Sequence, residues 1–231
     1  KVGAMDDPAA LAHAYNRVGY FYATRGQHGL AAAQYAKAVE IGQDIYTDEN
    51  LLSILGSLVT ALQSTNDMVK TKEALDKFIE LNKKSGTKRT MFYQYLFEAA
   101  YFVSVKDYEA LANTLENWKQ ITSASDSAVN KGLFRWYTSE LCLSQQDIQC
   151  LREFLENELN APASYISFVS KSKSYMRFKV QANIMVGDKQ GSLEAFDKYL
   201  EKMNLIIRNT QDNYSAVDMS SLHTKIINLD A

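Results

Sequence analysis

Residues 12–43 read AHAYNRVGYFYATRGQHGLAAAQYAKAVEIGQ. Tyr15, Val18, Gly19 and Tyr22 fall at helical spacing, so a large, a medium, a tiny and an aromatic side chain share one face. After a turn at Arg25-Gly26-Gln27, the residues Ala31, Tyr35 and Ala38 do the same on a second helix. The tiny residues let two antiparallel helices approach closely, and the aromatics fill the gaps between neighbouring pairs. Such a pair cannot bury its apolar face alone, which predicts further pairs stacked on it.

The rest of the chain continues in the same style. Its 231 residues suffice for one long array or two small domains. Only two prolines occur, Pro8 and Pro162, which suits long helices and not a turn-rich β protein. Helical periodicity predicts helices near 8–25, 28–43, 48–63, 68–84, 88–104, 108–121, 127–144, 148–159, 163–186, 192–208 and 214–228. Asp7-Pro8 starts the first, Asp107 and Asp147 cap later ones, and Ser85-Gly86-Thr87, Asn160-Ala161-Pro162 and Gly187-Asp188 break the chain. The small positions of the first helices align as Gly19, Gly56, Ala99 and Ala182. Their partners align as Ala31-Tyr35-Ala38, Ala74-Phe78-Leu81, Leu111-Leu115-Trp118 and Ala195-Tyr199, with Trp136 and Tyr137 as the aromatics of a looser fourth pair.

The motif of residues 12–43 resembles the tetratricopeptide repeat family, and the later pairs keep some of its small positions. The helix-ending proline of the family is absent, with Gln43 in its place in the first unit. The resemblance implies an all-α fold: a right-handed superhelical array of about five antiparallel helix pairs plus a terminal helix. One domain over residues 1–231 is expected, with the best repeat at 12–45, degenerate repeats at 47–84, 88–121, 127–159 and 163–208, and a terminal helix at 214–228.

Chemistry-bearing motifs do not appear. There is no Walker loop, no G-x-S-x-G, no H-E-x-x-H and no paired-cysteine metal motif. His13, His28 and His223 have no second ligand at helical spacing. No catalytic residue, metal or cofactor is expected, and a helical hydrolase or prenyl-binding fold would need clustered acids facing a cavity. Net charge is −2, which gives no field for nucleic acid. Lys70, Lys77 and Lys84 recur at seven on a face balanced by Glu73, Asp76 and Glu80, as on a solvated helix. The aromatics of helix 88–104 fill a core at these spacings. No apolar run spans a bilayer, and the longest, from Leu96 to Val105, is interrupted by Glu98.

Arrays of this family bind proteins, usually a peptide or helix in the groove formed by the first helices. The subgroup that clamps a C-terminal carboxylate needs basic residues there, and this chain has Asn16, Tyr20, Ser53, Tyr93 and Phe97 instead. The groove implied by the resemblance is weakly polar and aromatic: His13, Asn16, Tyr20, Asn50, Ser53, Ser57, Tyr93, Leu96 and Ala100. A protein or peptide is the expected partner, with a homodimer also open.

Cys142 and Cys150 would stand about 12 Å apart in one continuous helix, too far to bond. If Ser144 to Asp147 turns the chain, they face each other across a hairpin. A disulfide and two buried thiols are then both open. The chain opens on Lys1 and is read as a domain of a longer protein. Together with a disulfide, that start points to a periplasmic or other extracytoplasmic sensor of a membrane-anchored signalling protein. Such arrays resemble the input domains of bacterial diguanylate cyclases and histidine kinases, with an output domain after residue 231. A cytoplasmic scaffold or assembly factor using the same groove is the alternative.

Overall fold

In a computed structural model that describes residues 7–123 and 127–210, the chain is all-helical, with eleven helices and no strand among those residues. They are α1 (Pro8–Thr24), α2 (His28–Gly42), α3 (Asp48–Thr65), α4 (Met68–Ser85), α5 (Lys88–Val105), α6 (Tyr108–Ser123), α7 (Ala128–Ser144), α8 (Ile148–Leu159), α9 (Ala163–Val169), α10 (Lys173–Val186) and α11 (Lys189–Thr210). By internal packing the chain forms two compact units, Lys1–Thr114 and Leu115–Ala231. The terminal helix expected at 214–228 lies outside the described residues.

One turn recurs along the chain. Among the described residues, positive φ occurs at positions 26, 66, 106, 146 and 187, a spacing of 40, 40, 40 and 41 residues. Each of these residues ends the first helix of a hairpin. Gly26, Asn66, Lys106, Gln146 and Gly187 all donate their backbone N–H three residues back. At four of the five turns the next residue donates five residues back, to Tyr22, Phe102, Cys142 and Asn183, which completes the C-cap that a left-handed residue permits. The following Asp67, Asp107, Asp147 and Asp188 each accept from the N–H three residues on and start the second helix. Two residues before the turn, Thr24, Ser64, Ser104 and Ser144 return their hydroxyls to the helix just ended. The chain is thus built on a period of about forty residues, longer than the roughly 34 of the standard tetratricopeptide unit.

Counting from these turns corrects the sequence alignment. The buried counterpart of Gly19 is Val59, then Ala99, Ser139 and Val180, all at most 3% exposed. Gly56 lies one turn earlier, in register with Asn16 and Leu96, and Ala182 lies two residues later. On the second helices Ala31, Thr71, Leu111, Leu151 and Ser192 are in register and fully buried. Alignment by small residues slipped because any tiny side chain satisfies close approach; the left-handed turn fixes the register and the small residue does not.

In the first unit α2, α3 and α4 share one core, built of Ala31, Tyr35, Leu52, Leu55, Val59 and Phe78 among others. A methyl on Gly19 would stand 2.8 Å from the Tyr35 ring, so Gly19 is what lets α2 close on α1. In the second unit α10 packs on α7, α8 and α11. The helix expected at 163–186 is two helices, α9 and α10. Ser170, Lys171 and Ser172 donate to Ile166, Phe168 and Val169 and tighten the end of α9. The Ser172 side chain then accepts from the Tyr175 N–H and starts α10 anew. Serines compete for backbone groups and favour caps over helix interiors, so the Ser-Lys-Ser-Lys-Ser run splits the helix.

Candidate functional site

The residues expected to line a groove lie on α1, α3 and α5, all in the first unit. Counted from the turns, His13, Ser53 and Tyr93 hold one position, and Tyr20 and Ala100 share another with Thr60. Asn50 and Ser57 of α3 lie one turn before and one turn after Ser53 along the same stripe. His13, Tyr20, Asn50, Ser53 and Tyr93 are exposed, while Asn16, Ser57, Leu96 and Ala100 are half-buried. The stripe is therefore open to solvent at its first-helix positions.

Two aromatic side chains tie the stripe together from below. The Tyr35 ring passes under Gly19 of α1, and its hydroxyl bonds Ser57 of α3 close to Tyr20; burial pushes its pKa up. The Phe97 ring of α5 packs over Gly56 at 3.2 Å from where a Cβ would stand. It stacks on Tyr93 at 6.1 Å and meets Phe78 edge-on at 5.4 Å. Gln63 donates to the Phe97 carbonyl at 3.1 Å, linking α3 to α5. The surface this makes offers hydroxyls, amides and ring faces. It offers hydrogen bonds and stacking, the means by which neutral polypeptide segments are held.

Behind the stripe, Asn82 donates to Gln94 at 2.7 Å and Gln94 to Glu98 at 3.0 Å. Burial raises the Glu98 pKa, against the lowering effect of its hydrogen bonds to Gln94 and Thr114 and of Lys72 and Lys83. This chain of side chains joins α4 to α5.

In the second unit the chain turns at Gln146, midway between the two cysteines. Their Sγ atoms stand at 2.06 Å, disulfide distance, and their Cα atoms at 6.1 Å. The same hairpin carries a buried polar cluster that sequence reasoning missed. Tyr165 of α9 sits against Gly132 of α7, where any Cβ would strike its ring, and is fully buried. Its hydroxyl lies by Tyr175 and Glu158, and Tyr175 donates a short hydrogen bond to Glu158. Trp136 donates to Glu140 at 3.1 Å and meets the Tyr175 ring at 5.2 Å. Burial pushes the Glu140 carboxyl up to about 7, opposed by the Trp136 hydrogen bond and by Arg177. Burial also raises the hydroxyl pKa values of Tyr137, Tyr165 and Tyr175, and lowers that of the Lys179 ammonium.

The forty-residue register holds the signal that finds this cluster. Where other hairpins carry Ala38, Phe78, Trp118 and Tyr199, all buried, the fourth carries Glu158, also buried at 7% exposure. A carboxyl in a slot that its repeats fill with apolar groups is costly unless bonded, and two tyrosines surround it.

Among the described residues no group of three or more His, Cys, Asp and Glu side chains is placed to hold a metal ion. No described helix is long and apolar enough to cross a membrane. Set beside known proteins, the chain matches no family model, no curated sequence and no solved structure.

Proposed function

We propose that this chain is a non-catalytic, partner-binding domain of tetratricopeptide type, with its hairpins stacked in a right-handed superhelical array. One observation carries the reading. The first helices α1, α3 and α5 present His13, Ser53 and Tyr93, all exposed, at one matched position of a forty-residue repeat, with further hydroxyl, amide and aromatic side chains beside them. A repeated stripe of this kind suits a linear polypeptide, which meets equivalent contacts from successive repeats. Neither end of the stripe carries the paired basic residues of a carboxylate clamp, so an internal, uncharged segment is the fitting ligand. The setting that best accommodates the paired cysteines is an oxidising compartment, as for the input domain of a bacterial signal-transduction protein.

Selection of a random peptide library on the 231-residue chain tests this reading. The selected peptides should lose at least about tenfold in affinity on Ser53→Arg or Tyr93→Ala, the scale of one interface contact. Peptides indifferent to both changes, or failure to select any, would refute it.

A further inference from the structure

A second surface lies on the opposite side of α1 from the stripe. In each later hairpin the first helix packs on the second helix of the hairpin before it, using the positions twelve, eight and five residues ahead of the left-handed turn. In α3 these are Ile54, Leu58 and Ala61, buried at 4%, 8% and 2% exposure in the core shared with α2. In α5, Gln94 meets Asn82 of α4; in α7, Phe134 meets Trp118 of α6 at 5.9 Å; in α10, Tyr175 meets Glu158 of α8. The same positions of α1 are Ala14, Val18 and Phe21. Among the described residues nothing covers them, and they are exposed, Val18 at 41% and Phe21 at 49%.

The whole seam on α1 is Asp7, Leu11, Ala14, Val18, Phe21 and Arg25, spaced four and three residues in alternation. That is a heptad seam. Its apolar middle is closed by an acid at the N-terminal end and a base at the C-terminal end. Laid antiparallel on a copy of itself, the seam pairs Asp7 with Arg25, Leu11 with Phe21 and Ala14 with Val18, so that each layer joins opposite charges or a smaller group with a larger one. Antiparallel helices also oppose their dipoles. A parallel pair would set Asp7 on Asp7 and Arg25 on Arg25. The antiparallel pairing uses the same face on both copies, so it is two-fold and closes on itself.

We propose that two copies of this chain associate through α1, antiparallel, with the seam from Asp7 to Arg25 as the interface. The contact continues the helix-on-helix packing used between the hairpins and is independent of the peptide-binding stripe. Arg25, now resting on the Phe21 ring at 3.5 Å, would turn from its own ring to Asp7 of the other copy. A seam of one helix about 25 Å long makes a small interface, with a dissociation constant on the order of 10–100 µM.

Sedimentation equilibrium of the 231-residue chain from about 5 to about 500 µM provides the test. A monomer–dimer equilibrium should appear and should weaken by at least about tenfold in Phe21→Glu, a solvent-exposed change that leaves circular dichroism and melting unaltered. Asp7→Lys should weaken it likewise, and Asp7→Lys with Arg25→Glu should restore it. A chain that stays monomeric throughout, which would leave this face to some other helix, overturns the proposal. A dimer untouched by Phe21→Glu, or one that the double charge exchange does not restore, overturns it too.

Discussion

Gly132 and Gly29 look alike in sequence, since both are helical glycines, yet they predict opposite outcomes. A helix-interior glycine replaced by alanine normally gains about 0.5–1 kcal/mol. At Gly29, in the first turn of α2, the nearest atom to an added methyl is 3.9 Å away, and Gly29→Ala should show a gain at the low end of that range in urea denaturation. At Gly132 the methyl would enter the Tyr165 ring, and Gly132→Ala should instead lose about 1–3 kcal/mol, as overpacking does. Glu140 predicts a pH dependence. Its carboxyl titrates near 7 in the fold against 4.5 in the unfolded chain, with burial as the main cause. The folded state therefore holds the extra proton between those values, and stability falls as pH rises through that window. From this group alone the second unit should lose about 3 kcal/mol between pH 5 and pH 8. Glu140→Gln, which still accepts from Trp136, should flatten the profile when melting is followed across that range. A profile unchanged by Glu140→Gln would mean the carboxyl is not the source.

The hairpin is the element that the sequence announces best and numbers worst. Asp107 and Asp147 are legible as caps, and Arg25-Gly26-Gln27 and Gly187-Asp188 as turns, because capping and turning are local chemistry. Small residues alone give uneven spacings of roughly 37 to 44, and the even forty is hidden because Lys106 and Gln146 hold the left-handed position without being glycine or asparagine. The break inside 163–186 was hidden because apolar periodicity runs on across Ser170 to Ser172. The buried cluster around Glu158 was invisible because Tyr165 reaches Gly132 only through tertiary packing. Lys106→Gly relieves a non-glycine left-handed residue and should stabilise the first unit by about 1 kcal/mol in chemical denaturation. At the fourth turn, intact mass under non-reducing conditions should be lower by two hydrogens than after reduction. Replacing both Cys142 and Cys150 by alanine should cost about 2–3 kcal/mol, the scale for a short loop closed by a disulfide. Two free thiols in protein prepared under oxidising conditions would remove the support for an extracytoplasmic setting.

At the scale of the molecule, a repeated architecture carries a repeated surface. The architecture is visible in five turns of one geometry, and the surface in the matched positions His13, Ser53 and Tyr93. The first helices after α1 spend one face on the preceding hairpin while the stripe stays exposed, and on α1 the corresponding face is exposed as well. Photo-crosslinking of a selected peptide distinguishes these surfaces. With a photoreactive residue placed in turn at Ser53 and Tyr93 on the stripe, at Val18 on the seam and at Lys77 on the outer face of α4, peptide adducts should form from Ser53 and Tyr93 only. Adducts from Lys77 or Val18, with none from Ser53 and Tyr93, would contradict it.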